Sequence, residues 1–88
     1  MDFSQIVCSA EVGDKLFAKH GIEFDEVEEV LASDPEFRRG PRGAYYALGQ
    51  TLAGRYLFVV LRPLGDGGAL IVTARDMDQA ERRTYLRR

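Results

Sequence analysis

Ala44-Tyr-Tyr-Ala-Leu-Gly-Gln50, Thr51-Leu-Ala-Gly54 and Arg55-Tyr-Leu-Phe-Val-Val-Leu-Arg62 follow one another in the middle of the chain. Two runs rich in aromatic and β-branched residues, joined by a short segment ending in glycine, predict a β-hairpin. The second run is the most apolar segment of the sequence, so it is expected to be the central strand of a sheet. Towards the C-terminus, Pro63 to Gly68 predicts a second turn, in which Gly65, Gly67 and Gly68 supply a permissive backbone. Ala69 to Arg75 then reads as the next strand. Asp78 followed three residues later by Glu81 resembles a capping box, and a helix is expected from about Gln79 to Arg88.

Towards the N-terminus the period changes. Phe37 to Gly43 is rich in arginine, glycine and proline and reads as a loop or an irregular lead-in to the strand. Before it, Val27, Val30 and Leu31 fall at helical spacing, with Asp25 as the expected N-cap and Asp34-Pro35 as the stop. Glu11 to His20 predicts another helix, with Val12, Leu16 and Phe17 on one stripe and Gly21 at its end. Phe3 to Cys8 can form a short edge strand. The expected order is β-α-α-β-β-β-α, an α+β domain over residues 1–88 with a small antiparallel sheet and helices packed against one face.

A chain of 88 residues has room for one core, and its 45% hydrophobic and 30% charged content is that of an ordinary globular protein. No stretch is long and apolar enough to span a bilayer, and no basic segment precedes an apolar run at the N-terminus. A cytoplasmic protein without membrane contact is expected. The lone cysteine, Cys8, excludes an internal disulfide framework and reads as a buried inert thiol. One cysteine and one histidine cannot make a zinc cluster, so neither metal nor cofactor is expected.

The formal charge of −2 conceals a polarity. Residues 1–36 carry ten acids against two lysines, whereas residues 37–88 carry ten arginines against four acids. Guanidinium groups pair bidentately with phosphate and stack on bases, so the second half is a candidate RNA surface. Equally, those arginines could pair with the acidic first half. Arg75, at the end of the last strand, Arg55, at the start of the central one, and Arg38, Arg39 and Arg42, in the loop, are candidates for phosphate contact. Tyr45, Tyr46 and Tyr56 lie among them and could stack on bases or pack the sheet. His20 reads either as a cap on the carbonyls of the first helix or as a general acid or base.

Three stretches together resemble a known family. Lys19-His20-Gly21-Ile22 before an acidic helix ending near Asp34-Pro35, Gly54-Arg55-Tyr56-Leu57 opening the central strand, and Ile71-Val72-Thr73-Ala74-Arg75 with Glu81-Arg82-Arg83 and Tyr85 after it are similar to motifs of the BrnT family of bacterial type II toxins. The resemblance covers about residues 12–86. It implies a RelE-like ribonuclease fold, metal-independent cleavage of mRNA, and a cognate antitoxin of the ribbon-helix-helix type. It also implies Lys19, His20, Arg75, Glu81, Arg82 and Tyr85 as the functional residues. Arg75 would stabilise charge on the phosphorane, with His20 or Glu81 moving protons. Lys19, Arg42, Arg55, Arg82 and Tyr85 would bind the RNA. Many family members carry a Trp-Asp pair before the first helix and a lysine and an asparagine within it; here those positions hold Cys8, Ser9, Val12 and Leu16. The alternative is a non-catalytic RNA- or protein-binding module on the same scaffold. A homodimer is compatible with so small a core and an exposed edge strand.

Overall fold

A computed structural model describes residues 2–88. In the most apolar strand, β4 (Tyr56–Pro63), Leu57, Val59 and Leu61 are fully buried and the residues between them only partly so. That period of two sorts the strand's side chains onto two faces. β3 (Tyr45–Gln50) pairs with β4 antiparallel through the expected hairpin. The Gly54 N–H donates to the Thr51 carbonyl at 3.0 Å, with Gly54 at φ +94°, a conformation glycine adopts without a Cβ penalty. The Thr51 hydroxyl, nearly buried, accepts the Arg55 N–H at 3.0 Å and closes the turn.

β5 (Ala69–Asp76) pairs antiparallel on the other side of β4, so β4 is the middle of five strands in the order β1 (Ile6–Val7), β5, β4, β3, β2 (Glu36–Arg39). A register irregularity at Val60 and Leu61 leaves Val72 of β5 without a pairing partner on β4, and Ile71 and Ala74 are both buried.

Two features differ from the sequence expectation. The stretch expected to be a loop or an irregular lead-in contains β2 (Glu36–Arg39), paired antiparallel with β3 as Phe37↔Ala47 and Arg38↔Tyr46, and then a 3₁₀ turn at Pro41–Gly43. Its own residues carry a weak strand signal, and pairing with β3 makes it extended. The order is therefore β-α-α-β-β-β-β-α. The sheet is also not wholly antiparallel. β1 (Ile6–Val7) lies at the far edge and runs parallel to β5, as Ile6↔Ala69 and Val7↔Leu70.

α1 (Ala10–His20) begins at Ser9, whose hydroxyl accepts the Val12 N–H at 3.1 Å, and ends at Gly21 in the left-handed region. The N–H groups of Gly21 and Ile22 return to the carbonyls of Phe17 and Leu16. α2 (Phe24–Ala32) starts two residues earlier than expected: the cap position is Glu23, not Asp25, and the Glu26 carboxylate accepts the Glu23 N–H at 3.0 Å. Leu16, Ile22, Val27 and Val30 from the helical segment meet Ala47, Leu57, Val59, Leu61, Ile71 and Ala74 of the sheet in one cluster. α2 packs tightly on β3 at Gly49, where a Cβ would stand 3.0 Å from Val30 Cγ1 and 3.2 Å from Pro35 Cβ.

α3 (Gln79–Leu86) departs from the expected one-sided arrangement. Ala74 points into the core with α1 and α2, so alternation turns Arg75 to the opposite face, and α3 follows it there. Its buried anchor is Tyr85, whose ring meets Tyr56 edge-on at 6.0 Å between centroids. The helix opens with the expected capping box: the Asp78 carboxylate accepts the Glu81 N–H at 2.8 Å, and Glu81 Oε1 accepts the Asp78 N–H at 2.9 Å. Among the described residues no helix is long and apolar enough to cross a membrane.

Candidate functional site

The face of the sheet opposite α1 and α2 is built by Arg38 and Tyr46, by Phe58 of β4, and by Arg75 of β5, with the first turn of α3 beside them. Phe58 and Arg75 are cross-strand partners, and the Arg75 guanidinium lies over the Phe58 ring with Cζ 4.2 Å from its centroid. Tyr46 meets Phe58 from the other side, centroids 4.9 Å apart. Arg75 Nη1 donates to Glu81 Oε1 and Nη2 to Glu81 Oε2, each at 2.8 Å, and Nη1 also donates to the Asp76 carbonyl at 3.1 Å. The Arg75 side chain nevertheless remains 41% exposed.

Electrostatics at this pair run one way. Hydrogen bonds from Arg75 hold the Glu81 carboxyl below the ordinary glutamate range against the opposing effect of burial. The Asp78 N–H and the charge of Arg38 add to the lowering, which places Arg38 within electrostatic reach of the pair. Arg38 itself pairs through Nε with Glu36 at 2.5 Å. Arg82, one turn into α3, stacks over Tyr56 with Cζ 4.3 Å from the ring centroid. Arg38, Arg75 and Arg82 thus line one partly exposed surface floored by aromatic rings, a form suited to a polyanion carrying planar bases.

A second arginine cluster lies on the helix side of β5, because Asp76 alternates with Arg75. Arg55 Nε and Nη2 grip the Asp76 carboxylate at 2.7 and 3.1 Å. Nη2 also donates to the His20 carbonyl at 2.6 Å, while Nη1 donates to the Gly21 carbonyl at 2.9 Å and to Glu26 at 3.3 Å. The guanidinium has five N–H donors, and these contacts engage all of them. Arg55 satisfies the C-terminal carbonyls of α1, ties α2 to the sheet, and holds Asp76 below the ordinary aspartate range.

The residues implied by the resemblance therefore fall into separate groups. Arg75, Glu81 and Arg82 converge. His20 does not join them: it is exposed at the end of α1, next to Asp76 and Arg55 on the far side of β5. Lys19 is exposed beside it. Arg42 is exposed in the 3₁₀ turn at φ +54°, and its carbonyl accepts from Arg62 Nη1. Tyr85 is 8% exposed; it packs against Tyr56, and its hydroxyl accepts from Arg88 at 3.3 Å. Arg38 and Tyr46, weighed in the sequence for phosphate contact and base stacking, join the site, and Phe58 joins it without having been singled out. The available signal was alternation: once Leu57 and Val59 face the core, Phe58 must face away, and its partner Arg75 with it.

The four positions that depart from the family pattern serve the fold here. Ser9 caps α1, Leu16 is in the core, Val12 and Cys8 pack against it, and burial pushes the Cys8 thiol up, away from the reactive thiolate. Among the described residues no three His, Cys, Asp or Glu side chains converge to hold a metal ion.

Comparison with known proteins gives a match in structure alone. No protein-family model matches the chain, and no curated protein is significantly similar to it. The fold is similar to that of the crystal structure of the Brucella abortus ribonuclease toxin BrnT, with a TM-score of 0.73, over 85% of this chain and 97% of that one. Sequence identity is 19%, so the two share an α+β architecture across a wide divergence.

Proposed function

We propose that this protein is the toxin of a type II toxin–antitoxin system and cleaves mRNA as a metal-independent endoribonuclease. The observation that carries the reading is Arg75: an arginine stacked on Phe58, fixed by Glu81, open to solvent, and flanked by Arg38 and Arg82 on a fold similar to a ribonuclease toxin's. In this reading an RNA 2′-hydroxyl attacks the adjacent phosphorus and gives up its proton to solvent, and the P–O5′ bond breaks as the leaving oxygen takes a proton from solvent. Charge builds on the phosphorane oxygens, and Arg75 stabilises it. Arg82 and Arg38 bind flanking phosphates, and exposed ring surface supports bases.

Proton transfer distinguishes this reading from its rival. His20 lies across β5 from Arg75, and Glu81 is held ionised, so neither is poised as a general acid at that site. Rate enhancement then comes from positioning and charge stabilisation, which together supply large factors without an acid–base pair. The same observation favours the alternative, a non-catalytic RNA-binding module. A ribbon-helix-helix antitoxin is the expected partner in the first case, and the cytoplasm the expected compartment. β2, a short edge strand carrying Arg38 and Arg39, offers the pairing edge for a homodimer.

The test is a time course of mRNA integrity with purified wild-type protein and Arg75→Ala, in EDTA. Cleavage by wild type alone supports the ribonuclease. Intact RNA with both, from folded protein that still binds RNA, moves the reading to the binding module.

A further inference from the structure

Arg75 and Glu81 make an end-on pair, and the geometry of a guanidinium fixes what that leaves over. Arg75 has five N–H donors arranged along two forks, one formed by Nη1 and Nη2, the other by Nε and Nη2. Glu81 takes one hydrogen from each Nη, and the Asp76 carbonyl takes the second hydrogen of Nη1. The Nε hydrogen and the remaining Nη2 hydrogen have no partner among the described residues. They lie side by side on the same edge of the plane. One flat face is covered by Phe58, so the guanidinium is held at its end by Glu81 and from below by a ring, with an intact bidentate edge left over on a side chain that is 41% exposed.

Resting on the ribonuclease or RNA-binding reading of this surface, we infer that the Nε–Nη2 edge of Arg75 is the seat of one backbone phosphate, and that Glu81 is a positioning residue which keeps that edge presented. Two oxygens of a phosphodiester match the spacing of the fork as a carboxylate does. Glu81 suits the holding role because it is itself held: Oε1 also accepts the Asp78 N–H at 2.9 Å, and its side chain is only 17% exposed. The start of α3 is thereby fastened to β5 through one carboxylate. Arg38, on the same face of the sheet, keeps both Nη groups available beyond its Nε bond to Glu36 and is a second cation for a neighbouring phosphate.

The role predicts an effect of unusual sign. Near a polyanion, removing a carboxylate ordinarily strengthens binding. If Glu81 orients Arg75, Glu81→Gln weakens it, because an amide offers one acceptor where the end fork of Arg75 needs two.

The probe is a single-stranded RNA oligonucleotide 2′-O-methylated at every sugar, which presents phosphates without a hydroxyl to attack them. Binding is measured with the full chain by fluorescence anisotropy at fixed salt, with folding checked by circular dichroism. Arg75→Lys keeps the charge and loses the fork, and is expected to raise the Kd about tenfold. Glu81→Gln is expected to raise it by a similar factor. Asp78→Ala leaves Glu81 paired with Arg75 and removes only the carboxylate that caps α3, so its Kd is expected within about twofold of wild type. Unchanged or tighter binding by Glu81→Gln overturns the positioning role, and so does an equal loss in Asp78→Ala, which would trace the effect to the helix start. Wild-type binding that survives Arg75→Lys overturns the phosphate seat. Unmodified RNA run in parallel separates this inference from the ribonuclease reading. Arg75-dependent binding without cleavage keeps the seat and rejects the nuclease, whereas cleavage indifferent to Arg75→Lys does the reverse.

Discussion

Arg55 and Arg75 are both strand arginines bonded to carboxylates, yet they do opposite work. Arg55 faces the helices, and every N–H it has is engaged, by Asp76, Glu26 and the two carbonyls that end α1. Arg75 faces away from them, is bonded by one carboxylate and one carbonyl, and keeps an edge open. A saturated guanidinium is a structural fastening, while a half-engaged one on an exposed aromatic floor is preorganised for a ligand. What separates them is alternation along β5, where Asp76 and Arg75 point to opposite faces. Residue type and charge are the same in both clusters, so neither could reveal the difference.

The largest expected effect falls on the open arginine. Arg75→Ala should lower the RNA cleavage rate by about 100- to 1,000-fold, the usual loss for a donor aimed at a developing oxyanion, with a loss of thermal midpoint smaller than that of Arg55→Ala. A variant that unfolds instead would put Arg75 in the same structural class as Arg55. The converse substitution, Arg55→Ala, should cost about 2 kcal/mol in urea unfolding, since it strips partners from Asp76, Glu26 and the end of α1. Its cleavage rate per folded molecule should match wild type; a rate loss without instability would erase the distinction. Phe58→Leu keeps an apolar side chain but removes the ring beneath Arg75. A cation–π contact at a partly exposed site contributes roughly 0.5–1 kcal/mol, so a two- to fivefold fall in cleavage is expected from single-turnover kinetics. The smallest effect is the one the clusters share. Asp76 and Glu81 both have carboxyls lowered by their arginines, so each contributes stability that is present at neutral pH. That contribution declines as the pH falls below the ordinary carboxylate values of 3.8 and 4.5. Urea midpoints followed down to acid pH should show a shallower decline in Arg55→Ala than in wild type, because its Asp76 no longer gains from a partner.

Much of this was legible in the order of residues. The hairpin around Thr51–Gly54, the end of α1 at Gly21 and the capping box at Asp78 and Glu81 rest on local chemistry, and local chemistry decided them. β2 was not, because Glu36–Arg39 becomes extended through its ladder with β3, a pairing that its own composition does not announce. The site was half legible. Arginine content and the resemblance pointed to Arg75, Glu81 and Arg82, which do converge. Arg55 and Tyr85 were drawn in on the same grounds, and the fold places the first in a saturated cluster and the second under α3. His20 is separated from Arg75 by the thickness of a strand, a distinction carried only by side-chain parity. Phe58 needed the reverse inference, from which face is buried to which face is left.

β1 adds a consequence for how the chain reaches this state. β2 to β5 form a meander in which each strand meets its neighbour in sequence through a short turn, so its contacts can close quickly. Ile6 and Val7 have no such neighbour; they pair with Ala69 and Leu70, 63 residues further along the chain, and only after β5 exists. Closing so long a loop carries an entropic cost repaid by two residues of ladder and the docking of α1 beside it. The parallel edge is therefore the last part of the sheet to assemble and the first to open, and in hydrogen exchange its amides should lose protection before those of the meander.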